Sequence, residues 1–177
     1  MFLVVGLGNP GNEYKNTRHN IGFIAIDKLV SKFSDGLLFS KFDGLLVKGR
    51  VLGSDIIFLK PQTYMNLSGN CVQRVMQFYK IQSDKIIVIH DDIDLKFGVT
   101  KMKFSGGNGG HNGLKSIDAT VGSNYHRIRV GVGRPENKDM VSSYVLSNFS
   151  ASEIASVDEI LLEIENKMLE KIQDNSL

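Results

Sequence analysis

Three short apolar runs constrain what this chain can fold into more than any other feature. They occupy residues 2–7, 55–60 (DIIFLK) and 85–90 (KIIVIH), and each leads straight into a polar stretch. None of the three alternates, as expected of strands covered on both faces, and all are too short for free-standing helices. The runs at 45–52 and 99–104 alternate more, like half-exposed strands. Residues 127–133 begin with alternating basic and apolar positions, which puts Arg127 and Arg129 on one face. Between the strands, apolar residues recur at helical spacing. Asn20 can open a helix over 21–33, and Ser68 or Asn66 one that runs through Tyr79. A weaker helix follows a glycine run at 111–121, and a longer amphipathic one covers about 152–172. The interleaving predicts an α/β fold: one globular domain over 1–177, with a mixed, mostly parallel central sheet flanked by helices.

A chain of 177 residues can bury one core without disulfides or a structural metal. The lone Cys71 has no partner for a disulfide, and with no leader or long apolar span the expected home is the reducing cytoplasm. The net charge of +2 conceals an uneven distribution. Residues 98–135 carry six basic side chains (Lys101, Lys103, Lys115, Arg127, Arg129 and Arg134) against one acid, Asp118, whereas 151–177 is strongly acidic. The basic stretch is a candidate surface for a polyanion, although a charge cluster is more often a solvated face.

Four polar segments, three of them glycine-bearing, interrupt the scaffold: 6–22, 61–69, 90–94 and 106–113. The first three each follow a buried strand, so they can meet where an open sheet gathers its sites. Gly6-x-Gly8-x-x-Gly11 has dinucleotide-binding spacing, but a helix does not start until about Asn20. Asp27, at the distance of the ribose-binding acid, falls inside that helix. The glycines therefore read as a tight turn, and a nucleotide-dependent oxidoreductase is a weak alternative. His19 is a candidate base, and Asp91 or Asp92 can orient it. The same acids, with His90 and Asp94, can instead form a helix cap or a metal site, but no second ligand cluster accompanies them. No Gly-x-Ser-x-Gly elbow is present and Cys71 sits among core-like positions, so an activated water suits this chain better than a covalent intermediate. Asn9, Asn66 and Asn112 can hold an amide, a carbonyl or a water, or simply shape turns. Tyr14, Tyr64 and Met65 can pack on a substrate or close the core.

Taken together and in order, GLGNPGNEYKNTRHNIG, PQTYMNLSG, IHDDIDLKFG and GGNGGHNGLKS resemble the bacterial peptidyl-tRNA hydrolase family, from Gly6 to about Phe149. The resemblance implies a monomeric α/β enzyme that hydrolyses the ester joining a peptide to the terminal ribose of tRNA, recycling tRNA from prematurely released peptidyl-tRNA. It implies no metal or organic cofactor, no membrane and no obligate protein partner. It makes His19 the general base, Asp91 the carboxylate that keeps His19 basic, and Asn9 the residue that distinguishes N-blocked from free aminoacyl esters. By the same resemblance Asn66 and Asn112 hold substrate and water, and Tyr14, Tyr64, Met65 and His111 line the substrate site. Lys101, Lys103 and Arg129 correspond to contacts with the tRNA backbone. Ser105 stands where many members carry glycine, and Tyr64 where phenylalanine is common. An RNA-binding module without turnover is the main alternative of another class.

Overall fold

The computed structural model describes residues 1–175. Its sheet has seven strands in the order β2-β3-β4-β1-β5-β7-β6. In chain order they are β1 (Phe2–Gly6), β2 (Phe39–Lys41), β3 (Gly44–Val51), β4 (Ser54–Pro61), β5 (Ile86–Asp92), β6 (Thr100–Phe104) and β7 (His126–Gly131). The four central strands, β4, β1, β5 and β7, are parallel, and the outer three pair antiparallel. The three continuous apolar runs are β1, β4 and β5, at the centre, where both faces must be covered.

That cover comes from α1 (Ile21–Phe33) and α6 (Val157–Asp174) on one face, and from α2 (Ser68–Phe78) and α3 (Asn112–Val121) on the other. Val4, Phe58, Ile87 and Ile128 meet Ile26, Leu29, Ile164 and Met168 on the first side. Leu3, Val5, Ile57 and Val88 meet Cys71, Val72, Leu114 and Ile117 on the second. Successive strand residues thus feed opposite cores. Among the described residues no helix is long and apolar enough to cross a membrane.

Two local features differ from the sequence expectation. The stretch about 152–172 is not one helix: α5 (Ala151–Ile154) ends before α6 begins. A reciprocal cap between Ser150 and Glu153 starts α5, and Glu153 also grips Arg18 (Nη2–Oε1 2.7 Å), so this turn is drawn toward the His19 segment. The β2 strand is three residues long, too short to show a period. Its hairpin turns through Phe42 and Asp43, both at positive φ (57° and 58°), and Leu52, expected in β3, lies in the next hairpin turn at φ 50°.

The glycine spacing after β1 serves a close approach. A Cβ on Gly6 would lie 2.0 Å from the Gly22 carbonyl oxygen, and one on Gly22 would lie 2.6 Å from the Ile89 carbonyl oxygen. One on Gly8 would strike the Phe23 ring at 2.6 Å. The start of α1 therefore presses directly on the ends of β1 and β5. Between Gly11 and α1 the chain makes two 3-10 turns, Asn12–Tyr14 and Arg18–Asn20. The second sets His19 beside the end of β5. Gly22→Ala should therefore cost roughly 3 kcal/mol of stability, since the backbone cannot yield without separating helix from sheet. Urea denaturation checks this, and a midpoint like wild type's would show the contact to be pliant.

Candidate active site

The ends of the central strands open into a cleft of about 790 Å³, within the range of small-molecule sites. At its base sits Asp91, only 2% exposed, next to the last residue of β5. His19 Nδ1 lies 2.9 Å from each of its carboxylate oxygens. His111 Nε2 lies 2.8 Å from Oδ1. Burial opposes ionisation of Asp91, but the two imidazoles outweigh it and hold the carboxyl well below the usual range.

An ionised carboxylate only accepts hydrogen bonds, so the tautomers follow. Nδ1 of His19 carries the proton that points at Asp91, which leaves Nε2 with the lone pair. In His111, Nδ1 accepts from Gly113 N–H (3.0 Å) and Leu114 N–H (3.4 Å), capping α3 with its ring. Its proton therefore sits on Nε2 and is donated to Asp91. The nearest donor atoms of His19, Asp91 and His111 lie within 4.8 Å of one another, a spacing that suits a metal ion. A metal would need a bare Nε2 on His111, and its Nδ1 proton would then face the Gly113 N–H. The arrangement fits proton transfer better than metal ligation.

Asn9 is fixed as tightly. Its Oδ1 accepts from Met65 N–H (2.8 Å), so among the described residues Nδ2 is left as the free donor. Asn20 brackets its main chain, accepting from Asn9 N–H and donating to Asn9 C=O, both at 2.9 Å. Asn20, expected as the cap of α1, makes no capping bond, because its side chain is used on Asn9.

The cleft lining includes Asn9, His19, Met65, Asn66, His111 and Asn112, with Tyr64 exposed at the rim. Lys103 and Arg129 also line it. Lys101 stands outside the lining but lies opposite Arg129 in the β6–β7 register, as Lys103 lies opposite Arg127, so all four emerge from one face of the sheet. Arg129 donates through Nε to Asp92 (2.8 Å), which aims the rest of its guanidinium. Tyr14 is not brought to the cleft. It is half-buried in the first 3-10 turn, where its carbonyl accepts from Thr17.

The sequence and the fold are shared with known proteins. A family model for peptidyl-tRNA hydrolase matches residues 3–176. The chain belongs to the peptidyl-tRNA hydrolase family. Peptidyl-tRNA hydrolases of Rickettsia felis and Rickettsia prowazekii are 54% and 52% identical to it, each over 96% of this chain and 97% of theirs. A crystal structure of a peptidyl-tRNA hydrolase in complex with N-propanol superposes with a TM-score of 0.93 at 40% identity, over 98% of this chain and 89% of that one. That of the Acinetobacter baumannii peptidyl-tRNA hydrolase gives 0.84 at 38% identity, over 97% and 94%. The fold is therefore that of the peptidyl-tRNA hydrolases, and the chain is a hydrolase.

In this member of the peptidyl-tRNA hydrolase family, several supporting residues escaped the sequence reading. Arg18 donates to Tyr144 C=O (3.2 Å) and to Ser147 Oγ, and its guanidinium stacks 4.2 Å from the Tyr144 ring centre. It ties the His19 turn to α4 (Val141–Val145), and Val145 and Leu146 give the cleft an apolar wall. Only the position of Arg18 inside the Thr-Arg-His-Asn run hinted at this, and the short α4 has no signature. His90, weighed only as a metal ligand, donates through Nδ1 to Asp91 C=O (2.8 Å), and its ring meets His111 edge-on at 5.3 Å.

Burial pushes the His90 imidazole down to about 4, with the neighbouring His111 adding to the effect. An unfolded chain protonates this residue near its ordinary 6.5, so between those values the unfolded state holds more protons. Stability should fall as pH drops from about 6.5 to about 4, with part of the slope due to His126, which burial lowers to the same value. Replacing His90 with Asn should flatten the slope of unfolding free energy against pH in that window. Equal slopes would show that His90 titrates freely.

Proposed function

We propose that this chain hydrolyses the ester between a peptide, or an N-blocked aminoacyl group, and the terminal ribose of tRNA, using a water activated by His19 and no metal or organic cofactor. The observation that carries this reading is the His19–Asp91 pair, with Nδ1–H held by a buried carboxylate and Nε2 left to accept a proton. In the reaction Nε2 takes a proton from water as the water oxygen attacks the ester carbonyl, and Asp91 stabilises the imidazolium that forms. Collapse of the tetrahedral intermediate breaks the bond to the ribose oxygen, which leaves with that proton.

Asn9 supplies the selectivity. With its Oδ1 occupied by Met65 N–H, it offers donors only, which suits the carbonyl of an N-acyl group. A free amine has no such acceptor and adds a positive charge. Asn66 and Asn112 hold substrate and water, and Met65, Tyr64 and His111 shape the site. Lys101, Lys103 and Arg129 follow the tRNA backbone along the β6–β7 edge. The biological role is recycling of tRNA from prematurely released peptidyl-tRNA by a monomer in the cytoplasm.

The decisive experiment follows label released from N-acetyl-aminoacyl-tRNA and from the same tRNA with a free amine, chelator present. Wild type should cleave only the blocked ester. His19→Ala should lose about 10² to 10⁴ in rate while still binding tRNA. Binding without cleavage by wild type would favour the RNA-binding module instead. Lys103→Ala should weaken tRNA binding and lower the log–log salt slope by roughly 0.7–0.9, the contribution of one phosphate contact. A slope equal to wild type's would remove Lys103 from the tRNA path.

A further inference from the structure

The loop that presents His111 to Asp91 has little to hold its own main chain in place. It leaves β6 through Ser105 and Gly106, both at positive φ (62° and 101°), and turns again through Gly109 and Gly110 (58° and 84°). Its tip is closed on itself. Asn108 Oδ1 accepts from Gly110 N–H (2.9 Å) and Asn108 C=O from His111 N–H (3.0 Å). Among the described residues, one side chain joins residues 106–110 by hydrogen bonds to anything outside the loop, and it is Arg127.

Arg127 is 1% exposed. Its Nη1 donates to Gly107 C=O (2.5 Å) and its Nη2 to Gly106 C=O (3.0 Å) and to Asp118 Oδ1 (3.3 Å). Asp118 also accepts from Tyr125 OH (2.7 Å), and the Tyr125 ring lies beneath the guanidinium at 4.7 Å. Asp118 belongs to α3, the helix that His111 caps. One buried planar fork thus ties the loop's entry to the helix at its exit. A lysine ammonium is a point charge and cannot reproduce three bonds in that plane.

By charge and alternation alone Arg127 and Arg129 are equivalent, two basic residues on one face, and the family resemblance assigns a role only to Arg129. Their surroundings separate them. Among the described residues Arg129 lines the cleft with its terminal nitrogens free, whereas both of those on Arg127 are already engaged with the loop and Asp118.

We propose that Arg127 is a positioning residue, which holds the glycine loop over the cleft so that His111 and Asn112 meet Asp91 and the substrate in a fixed geometry, and which does not itself bind tRNA phosphate. The inference rests on the esterase reading of the cleft. A small misplacement of groups around a reacting centre can lower turnover on the order of 10²-fold without weakening binding.

The test compares wild type, Arg127→Lys and Asp118→Asn on N-acetyl-aminoacyl-tRNA at several salt concentrations, with hydrogen exchange of the loop amides measured alongside. Arg127→Lys should lower kcat by about ten- to a hundredfold. KM should stay within about twofold and its salt slope should be unchanged, as expected when no phosphate contact is lost. Exchange at residues 105–111 should accelerate. Asp118→Asn, which keeps the fold's packing but loosens the grip on Arg127, should move kcat and exchange in the same direction by less, and it carries the test should Arg127→Lys fail to fold. A raised KM with a shallower salt slope would make Arg127 a phosphate ligand and overturn the proposal, as would an unchanged kcat. Wild type that cleaves no ester would sink the esterase reading, whereas loop exchange unaltered by Arg127→Lys would sink this one.

Discussion

A carboxylate buried at the end of β5 sets the terms for everything around it. Asp91 is almost wholly removed from water, which would ordinarily favour its protonated form. Two imidazole N–H groups, from His19 and His111, reverse that preference. The same two bonds dictate where each ring carries its proton. His19 is left with a lone pair for the cleft, and His111 with one for the first amides of α3. An electrostatic requirement at one oxygen pair thereby becomes both a candidate base and a helix cap.

Holding the three groups together is a problem of backbone placement. Residues 19, 91 and 111 come from a 3-10 turn, a strand end and a loop. The turn reaches the strand because Gly6 and Gly22 allow α1 to approach β1 and β5 more closely than any side chain would permit. Arg18 anchors the turn from the other direction through α4 and Glu153. The loop is fixed by Arg127 on one side and by the His111 cap on the other. Each anchor is a buried or half-buried polar group that bonds across to another segment, so the site's rigidity comes from the groups that support it as much as from the reacting ones.

Much of this was legible from residue patterns. The unalternating runs gave the central strands, and helical spacing gave α1, α2 and α3 nearly to the residue, because those elements bury whole faces. The weakest reading was at the C-terminus, where a continuous apolar period hides a break made by the Ser150–Glu153 cap and its arginine partner. The three-residue β2 and the left-handed turn at Leu52 carry no periodic signal. For the site, His19 stood out in a polar run before a helix, Asp91 at the end of an apolar strand, and Asn9 and the other loop asparagines in the segments that interrupt the scaffold, and the family resemblance ordered them. Arg18 did not stand out, and Asn20, His90 and Arg127 were read in other roles, as a helix cap, a metal ligand and part of a basic face, since each acts through partners distant in sequence or through main-chain carbonyls.

The sequence by itself determined which segments are buried, which loops follow them, and that the chemistry lies in those loops, because burial and periodicity are local properties of residue order. Tertiary structure alone decided the protonation pattern, the donor-only role of Asn9, and the engagement of Arg127 with the glycine loop and Asp118. Those properties depend on which atom of a side chain faces which partner. Residues 9 and 65, 19 and 91, or 107 and 127 become neighbours only when the sheet closes, and no spacing along the chain encodes the direction of a hydrogen bond between them.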